Sequence, residues 1–295
     1  MADREHLLTT PQMAQFVARG FVRFDGVVPD ALNQRFMQEV EAGPPKAAPA
    51  GTPLSECYGD SVVSEILRLP AVEGAIESLV GPGCLFDHQG THFNPPAKLM
   101  TDRGIRVLSQ HTHQDSTIDV REHAFDVQMF YYPHEVTPEM GGTRFIPGTH
   151  LRRVSEMACA RYQNVVGQRK IVCPAGTVIF MHHGMWHGGE INRSDRTRFM
   201  LKIRMNPVVK QTRLWNTDDL TDEMAAPQPI FVFSEMFDKD PTDVQKVLCQ
   251  FERWFELDTG RLEFINRIKL WRHLVGDDAF DAHHWLTRLE NEPGT

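Results

Sequence analysis

Two short stretches of this sequence hold residues whose types and spacing could do metal chemistry. In Gln110-His111-Thr112-His113-Gln114-Asp115, His113 and Asp115 are spaced as His-x-Asp. At a strand end, residues i and i+2 point to the same side. An imidazole nitrogen and a carboxylate oxygen can therefore converge on one ion. The third donor is expected from His187, 74 residues on (113 to 187). Two histidines and a carboxylate on one face of a metal form the arrangement that suits non-haem ferrous iron and leaves positions open for reactants. His111 shares the strand face of His113 but has no acid two residues on. His182 and His183 are expected to be structural or to stand just behind the metal ligands rather than on the metal, and His150, after Pro-Gly-Thr, is expected to close a turn.

The second stretch runs from Pro174 to Arg198. Pro174-Ala175-Gly176 reads as a turn and Thr177 to Met181 as an apolar strand. Gly184 to Asp195 reads as irregular chain, and a further strand begins at Thr197. That strand carries Arg198 close to His187. A buried arginine beside a metal suits a two-pronged grip on a carboxylate. Arg196 shares its strand face but lies nearer the loop. Gln128 stands mid-strand among Val127, Met129 and Phe130, where a buried amide needs partners, so it is expected at the pocket.

These motifs, taken together, resemble the phytanoyl-CoA dioxygenase family. The resemblance rests on His113-x-Asp115, then Gly141–His150 (Gly-Gly-Thr-Arg-Phe-Ile-Pro-Gly-Thr-His), then His187 with Asn192, Ser194 and Arg198 behind it. The opening, Leu8-Thr9-Thr10-Pro11-Gln12 and Gly20 to Pro29, is also similar, and the likeness spans roughly residues 8–207. It implies an oxygenase that uses Fe(II), 2-oxoglutarate and O2 on a double-stranded β-helix. It also implies His113, Asp115 and His187 as iron ligands and Arg198 as the partner of the cosubstrate's distal carboxylate. The run His88 to Asn94 is similar to a strand of ectoine hydroxylases, which implies Asn94 at 2-oxoglutarate and Gln89 nearer the substrate. Where many members have serine two residues after the second histidine, this chain has Gly189.

The elements that must position these residues follow from pattern. Thr10-Pro11 starts a helix that Gly20 ends. A second helix opens at Pro29-Asp30, and two short ones, Ser61 to Leu67 and Val72 to Val80, are split by Pro70. Strands are expected over 84–94, 107–111, 125–132, 143–146, 169–173, 177–181 and 197–206, punctuated by prolines and glycines. Many short strands without alternating helices argue for a sandwich or jelly roll and against a doubly wound sheet. After Pro207 the chain turns helical: Asp243 to Phe255, Leu262 to Gly276 and Ala279 to Leu289, the first with an apolar stripe of Val244, Leu248, Phe251 and Phe255. The fold class is thus mainly β with flanking helices, a jelly roll by resemblance. Residues 1–207 form the jelly-roll part and 208–295 a helical extension packed on it.

Composition narrows the function classes. The 295 residues include 39 acidic and 31 basic ones, a net charge of −8, which argues against a nucleic-acid surface. No apolar run nears the ~20 residues of a membrane span, and the N-terminus is too polar for a signal peptide. Five cysteines without Cys-x-x-Cys spacing read as reduced thiols in a cytoplasmic protein. The expected activity is hydroxylation of a small molecule at an unactivated C–H bond. Alternatives are another oxidative outcome with the same cofactors, such as desaturation or epimerisation, and a jelly-roll protein that binds metal without turnover. Asp115 argues against a halogenase, which would lack that carboxylate. Lys98, Arg103 and Arg106 precede the metal motif; they either draw an anionic substrate to the pocket mouth or are solvated charges without a role. The C-terminal helices are a candidate surface for a homo-oligomer.

Overall fold

The computed structural model describes residues 2–115, 125–152, 156–160, 164–229, 240–255 and 260–285. Helix α1 (Thr10–Arg19) starts on a reciprocal cap. The Thr9 hydroxyl accepts from the Gln12 N–H, and the Gln12 side chain accepts from the Thr9 N–H at 2.9 Å. Two of the N–H groups that a helix start leaves open are satisfied in this way. Gly20 ends the helix with φ 80°, a left-handed conformation that costs glycine little. Strand β1 (Phe21–Phe24) and helices α2 (Asp30–Ala42), α3 (Val62–Leu67) and α4 (Pro70–Val80) follow. Pro70 is the first residue of α4 rather than a break ahead of it, because a proline there forfeits no internal hydrogen bond.

The β part comprises β2 (Leu85–Asn94), β3 (Val127–Tyr132), β4 (Arg144–Phe145), β5 (Arg169–Lys170), β6 (Thr177–His182), β7 (His187–Gly188) and β8 (Arg198–Asn206). Helix α5 (Ala97–Asp102) follows β2, and α6 (Glu156–Cys159) follows β4. All the pairings are antiparallel, in a five-stranded sheet of order β1-β6-β3-β8-β2 and a three-stranded sheet of order β5-β4-β7. Strand alternation divides the large sheet into two faces. Val127, Met129 and Tyr131 join Val178, Phe180, Leu201, Ile203 and Met205 in the core shared with the helices. Phe130, Tyr132, Ile179, Met181 and Met200 face the other way and pack with Phe145, Ile171 and Met185. Every residue of β3 and β6 is therefore buried, as expected for strands covered on both sides. The expected strand over 107–111 does not form. That segment is largely exposed; Gln110 donates its backbone N–H to the Gly189 carbonyl at 2.9 Å, and His113 beyond it pairs as a single antiparallel bridge to His187.

Gly141 and Gly142 explain how the short sheet closes against the irregular chain after β7. A Cβ on Gly142 would lie 2.0 Å from the Ile171 carbonyl oxygen, and one on Gly141 would lie 2.5 Å from the Ile191 backbone. Gly141 also has φ 63°. Only glycine lets the backbones approach so closely.

Beyond β8 come α7 (Asp222–Ala225), α8 (Val244–Leu248) and α9 (Gly260–Val275). The single helix expected over Asp243 to Phe255 is instead the five-residue α8, followed by irregular chain. Its stripe divides accordingly. Val244 and Leu248 are buried with α1, whereas Phe255 packs with Phe264 and the partly buried Phe251. The last expected helix is seen as helical turn over 282–285; its remainder lies outside the described residues. Trp271 of α9 packs tilted against Trp215, ring centroids 5.6 Å apart, and the Trp215 indole N–H donates to the Thr10 hydroxyl at 3.0 Å. The C-terminal chain and α1 therefore share one core. Among the described residues no helix is long and apolar enough to cross a membrane.

Candidate metal centre

The centre forms where the chain ahead of β3 crosses β7. His113 and His187 exchange both backbone hydrogen bonds, each 2.9 Å, so their side chains emerge side by side, with ring centroids 4.4 Å apart. The Nδ1 atom of His113 lies 3.1 Å from the His111 carbonyl oxygen and that of His187 lies 2.9 Å from the Met185 carbonyl oxygen. A carbonyl only accepts, so both Nδ1 atoms carry the proton, and Nε2 of each ring is directed at the centre. Asp115 lies between them, its Oδ1 at 3.5 Å from His113 Nε2 and its Oδ2 at 3.5 Å from His187 Nε2. All three donor atoms lie within 4.8 Å of one another. Metal–ligand bonds of ~2.1 Å at right angles would need separations of ~3 Å, so this donor set fits one metal ion after a small contraction.

Electrostatics agree with that use. Burial by itself would raise the Asp115 carboxyl, but His187, Lys202, His183 and His113 outweigh it and bring it down to about 2. Burial, partly opposed by Asp115, lowers the His187 imidazole to about 4. Both groups are in the form a cation needs: a carboxylate and a neutral ring.

Arg198 begins β8 directly opposite Asn94 on β2. It is 4% exposed, and among the described residues its Nε and Nη1 have no hydrogen-bond partner. Buried guanidinium nitrogens left this way fit a carboxylate supplied by a ligand. Arg196 is exposed. Asn94 uses its amide N–H groups on backbone, donating to the carbonyls of Glu190 at 3.0 Å and Gly141 at 3.3 Å. Asn192 pins the same corner by donating to the Asn94 and Arg196 carbonyls, both at 2.7 Å. At Gly189 the backbone N–H donates to the Gln110 side chain at 3.0 Å. Gln110 thus covers the position where a serine hydroxyl would otherwise stand.

The remaining expected residues divide by strand register. Gln128 pairs with Arg204 and Met181 on the face that looks into the site; it is fully buried, and among the described residues neither amide atom has a partner. Gln89 stands opposite Ile203, on the other face, and donates to the Pro45 carbonyl. Arg106 is exposed, as are Lys98 and Arg103. His150 closes its turn structurally, with Nε2 3.0 Å from the Val17 carbonyl, and His182 stacks on Phe125. His183 is closer to the centre, its Nε2 3.9 Å from Asp115 Oδ2.

Two residues not singled out from the sequence also face the site. Lys202 lies 3.4 Å from Asp115 Oδ2. His92 pairs with Met200, and its imidazole is lowered by burial and then by Lys202 and Arg198, with Asp115 opposing. Strand alternation from Arg198 was the available signal for Lys202; His92 needed the register between β2 and β8.

Residues 65–200 match the family model described as phytanoyl-CoA dioxygenase (PhyH). A comparison with curated proteins returns no match. Among solved structures, the non-haem α-ketoglutarate-dependent carbocyclase SnoK from nogalamycin biosynthesis is similar, with TM-score 0.51 and 19% identity over 70% of this chain and 87% of that one. HygX from Streptomyces hygroscopicus with iron bound has TM-score 0.51 and 14% identity, over 68% of this chain and 88% of that one. The epimerase SnoN, also from nogalamycin biosynthesis, has TM-score 0.51 and 14% identity, over 66% and 79%. The class is that of the non-haem iron enzymes that use 2-oxoglutarate. Residues 65–200 are the stretch over which this chain is similar to the phytanoyl-CoA dioxygenase family.

Proposed function

We propose that the protein hydroxylates a small molecule at an unactivated C–H bond, with His113, Asp115 and His187 as the iron ligands and Arg198 as the partner of the 2-oxoglutarate distal carboxylate. The observation that carries this reading is the convergence of His113, Asp115 and His187 donor atoms within 4.8 Å, beside a buried arginine with two unpartnered nitrogens. When bound, ferrous iron with 2-oxoglutarate supplies the oxidation of a C–H bond by O2, releasing succinate and CO2.

The protein's own residues orient and shield. The His111 and Met185 carbonyls hold the two rings with Nε2 inward. Arg198 fixes one end of the cosubstrate, and Asn94 holds the surrounding turn in place. Phe130, Tyr132 and Met200 are buried on the same side of the sheet and keep water from the reacting region. Such a site works by geometry and exclusion rather than by acid–base chemistry. The two sheets are read as the halves of a double-stranded β-helix, with residues 208–295 as a helical extension to it. The printed roles of SnoK and SnoN, carbocyclase and epimerase, support a second outcome on the same cofactors. Product analysis after incubation with Fe(II), 2-oxoglutarate, O2 and a metabolite pool separates the two. A product heavier by one oxygen atom supports hydroxylation, whereas an isomer or a product two hydrogens lighter supports the second reading.

A further inference from the structure

The inward face of β8 carries one more cation than the cosubstrate requires. Lys202 follows Arg198 by four residues, ~13 Å along the strand, and its side chain is 16% exposed. Among the described residues, Asp115 is the only acid within ion-pair distance of its ammonium, at 3.4 Å. Lys202 stands directly opposite Gly90 on β2 and Phe130 on β3. Gly90 leaves a gap in the wall, and the His92 imidazole leans over it: a Cβ on Gly90 would lie 2.8 Å from His92 Nε2. The next cation on this face, Arg204, is already matched by Asp126 and by Asp87 at 3.8 Å.

Charge balance then identifies what is missing. The metal brings two positive charges, and Arg198 and Lys202 bring one each. Asp115 brings one negative charge and 2-oxoglutarate two. Among these groups one positive charge is left over, on side chains that are largely buried (Arg198 4%, Lys202 16%, Asp115 22% exposed), where uncompensated charge is costly. The component still to enter is the primary substrate. Resting on the metal and cosubstrate reading above, we propose that this substrate carries a carboxylate that pairs with Lys202 beside the metal. A monoanion matches the single surplus charge, whereas a phosphate monoester brings about −1.5 to −2. This anchor stands on β8 together with Arg198. It also relocates the attraction for an anion from the exposed Lys98, Arg103 and Arg106 to a cation inside the site.

The test uses the full chain loaded with Ni(II) and 2-oxoglutarate, with calorimetric titration of benzoate and of its neutral counterpart benzamide. Benzoate should bind the wild type, lose about tenfold or more in affinity in Lys202→Met, and regain most of it in Lys202→Arg. Benzamide should not distinguish the three proteins. Ni(II) and 2-oxoglutarate should bind Lys202→Met no more weakly than the wild type. The proposal is overturned if benzoate binds wild type and Lys202→Met equally, or does not bind the wild type at all. It is also overturned if 2-oxoglutarate affinity falls in Lys202→Met, which would assign the ammonium to the cosubstrate. Failure of the underlying reading looks different: the wild type would then take up no Ni(II) or no 2-oxoglutarate before any benzoate is added.

Discussion

At the residue scale, the tie between Nδ1 and a backbone carbonyl does for both histidines what a buried acid often does elsewhere: it sets the ring orientation before any metal arrives. Among the described residues Asp115 has no backbone tie and is held by charge and by the Lys202 ammonium, 3.4 Å from its Oδ2. Asp115→Ala should therefore abolish high-affinity metal binding while the far-ultraviolet circular dichroism stays that of the wild type. Tight Fe(II) binding by that variant would contradict the assignment. Arg198→Ala should weaken 2-oxoglutarate binding by ~2–5 kcal/mol, the cost of leaving one member of a buried charged pair alone. Arg196→Ala should leave the titration unchanged, since Arg196 is exposed. His113, Asp115, His187 and Arg198 were legible in the sequence because residue type and short spacing carry their geometry. Lys202 was within reach by strand alternation from Arg198, whereas His92 was not, because its place depends on which residues of β2 and β8 stand opposite one another.

At the element scale, the strands were legible where both faces are buried and less so at the site's rim. β3, β6 and β8 lie within one or two residues of their expected bounds, since continuous apolar runs between turn residues permit little else. The chain ahead of His113 was misread as a strand because its apolar start, Val107-Leu108, is not packed: Leu108 is 66% exposed. The amphipathic spacing from Val244 to Phe255 was real, but it serves two separate apolar clusters and not one helix face. The short sheet leads to a prediction of its own. Gly142→Ala forces a methyl against the Ile171 carbonyl oxygen, 2.0 Å from the ideal Cβ position, and backbone cannot rotate away as a side chain can. A loss of ~1–3 kcal/mol in chemical denaturation is expected. A denaturation curve superimposable on the wild type would show that the short sheet tolerates the shift.

At the scale of the whole molecule, the helices on either side of the sheets in sequence meet in one core. Ending the chain at Pro207 removes Trp215, Leu248 and Trp271 and uncovers α1; the truncated protein should be insoluble or melt well below the full chain, and a soluble, equally stable one would show the tail to be dispensable. That core also holds acid-sensitive groups. Burial first, then Arg267, lowers His150 to about 3, with the Val17 carbonyl opposing, and burial lowers His182 well below its ordinary value. Each folded-state value lies below the unfolded one of ~6.5, so the unfolded chain binds more protons between those limits. Stability should fall as pH drops from ~6.5 towards 3, and His150→Gln should flatten that slope in denaturation midpoints. The central claim, that the fold brings His113, Asp115, His187 and Arg198 together to oxidise a small molecule with iron and 2-oxoglutarate, is tested most directly by succinate release. The purified full chain, given Fe(II), O2 and 2-oxoglutarate, should release succinate above the background of metal alone, and Asp115→Ala and Arg198→Ala should not. Succinate formation that persists undiminished in Asp115→Ala, or that is absent from the wild type carrying bound Fe(II) and 2-oxoglutarate in the presence of substrate, would contradict the account.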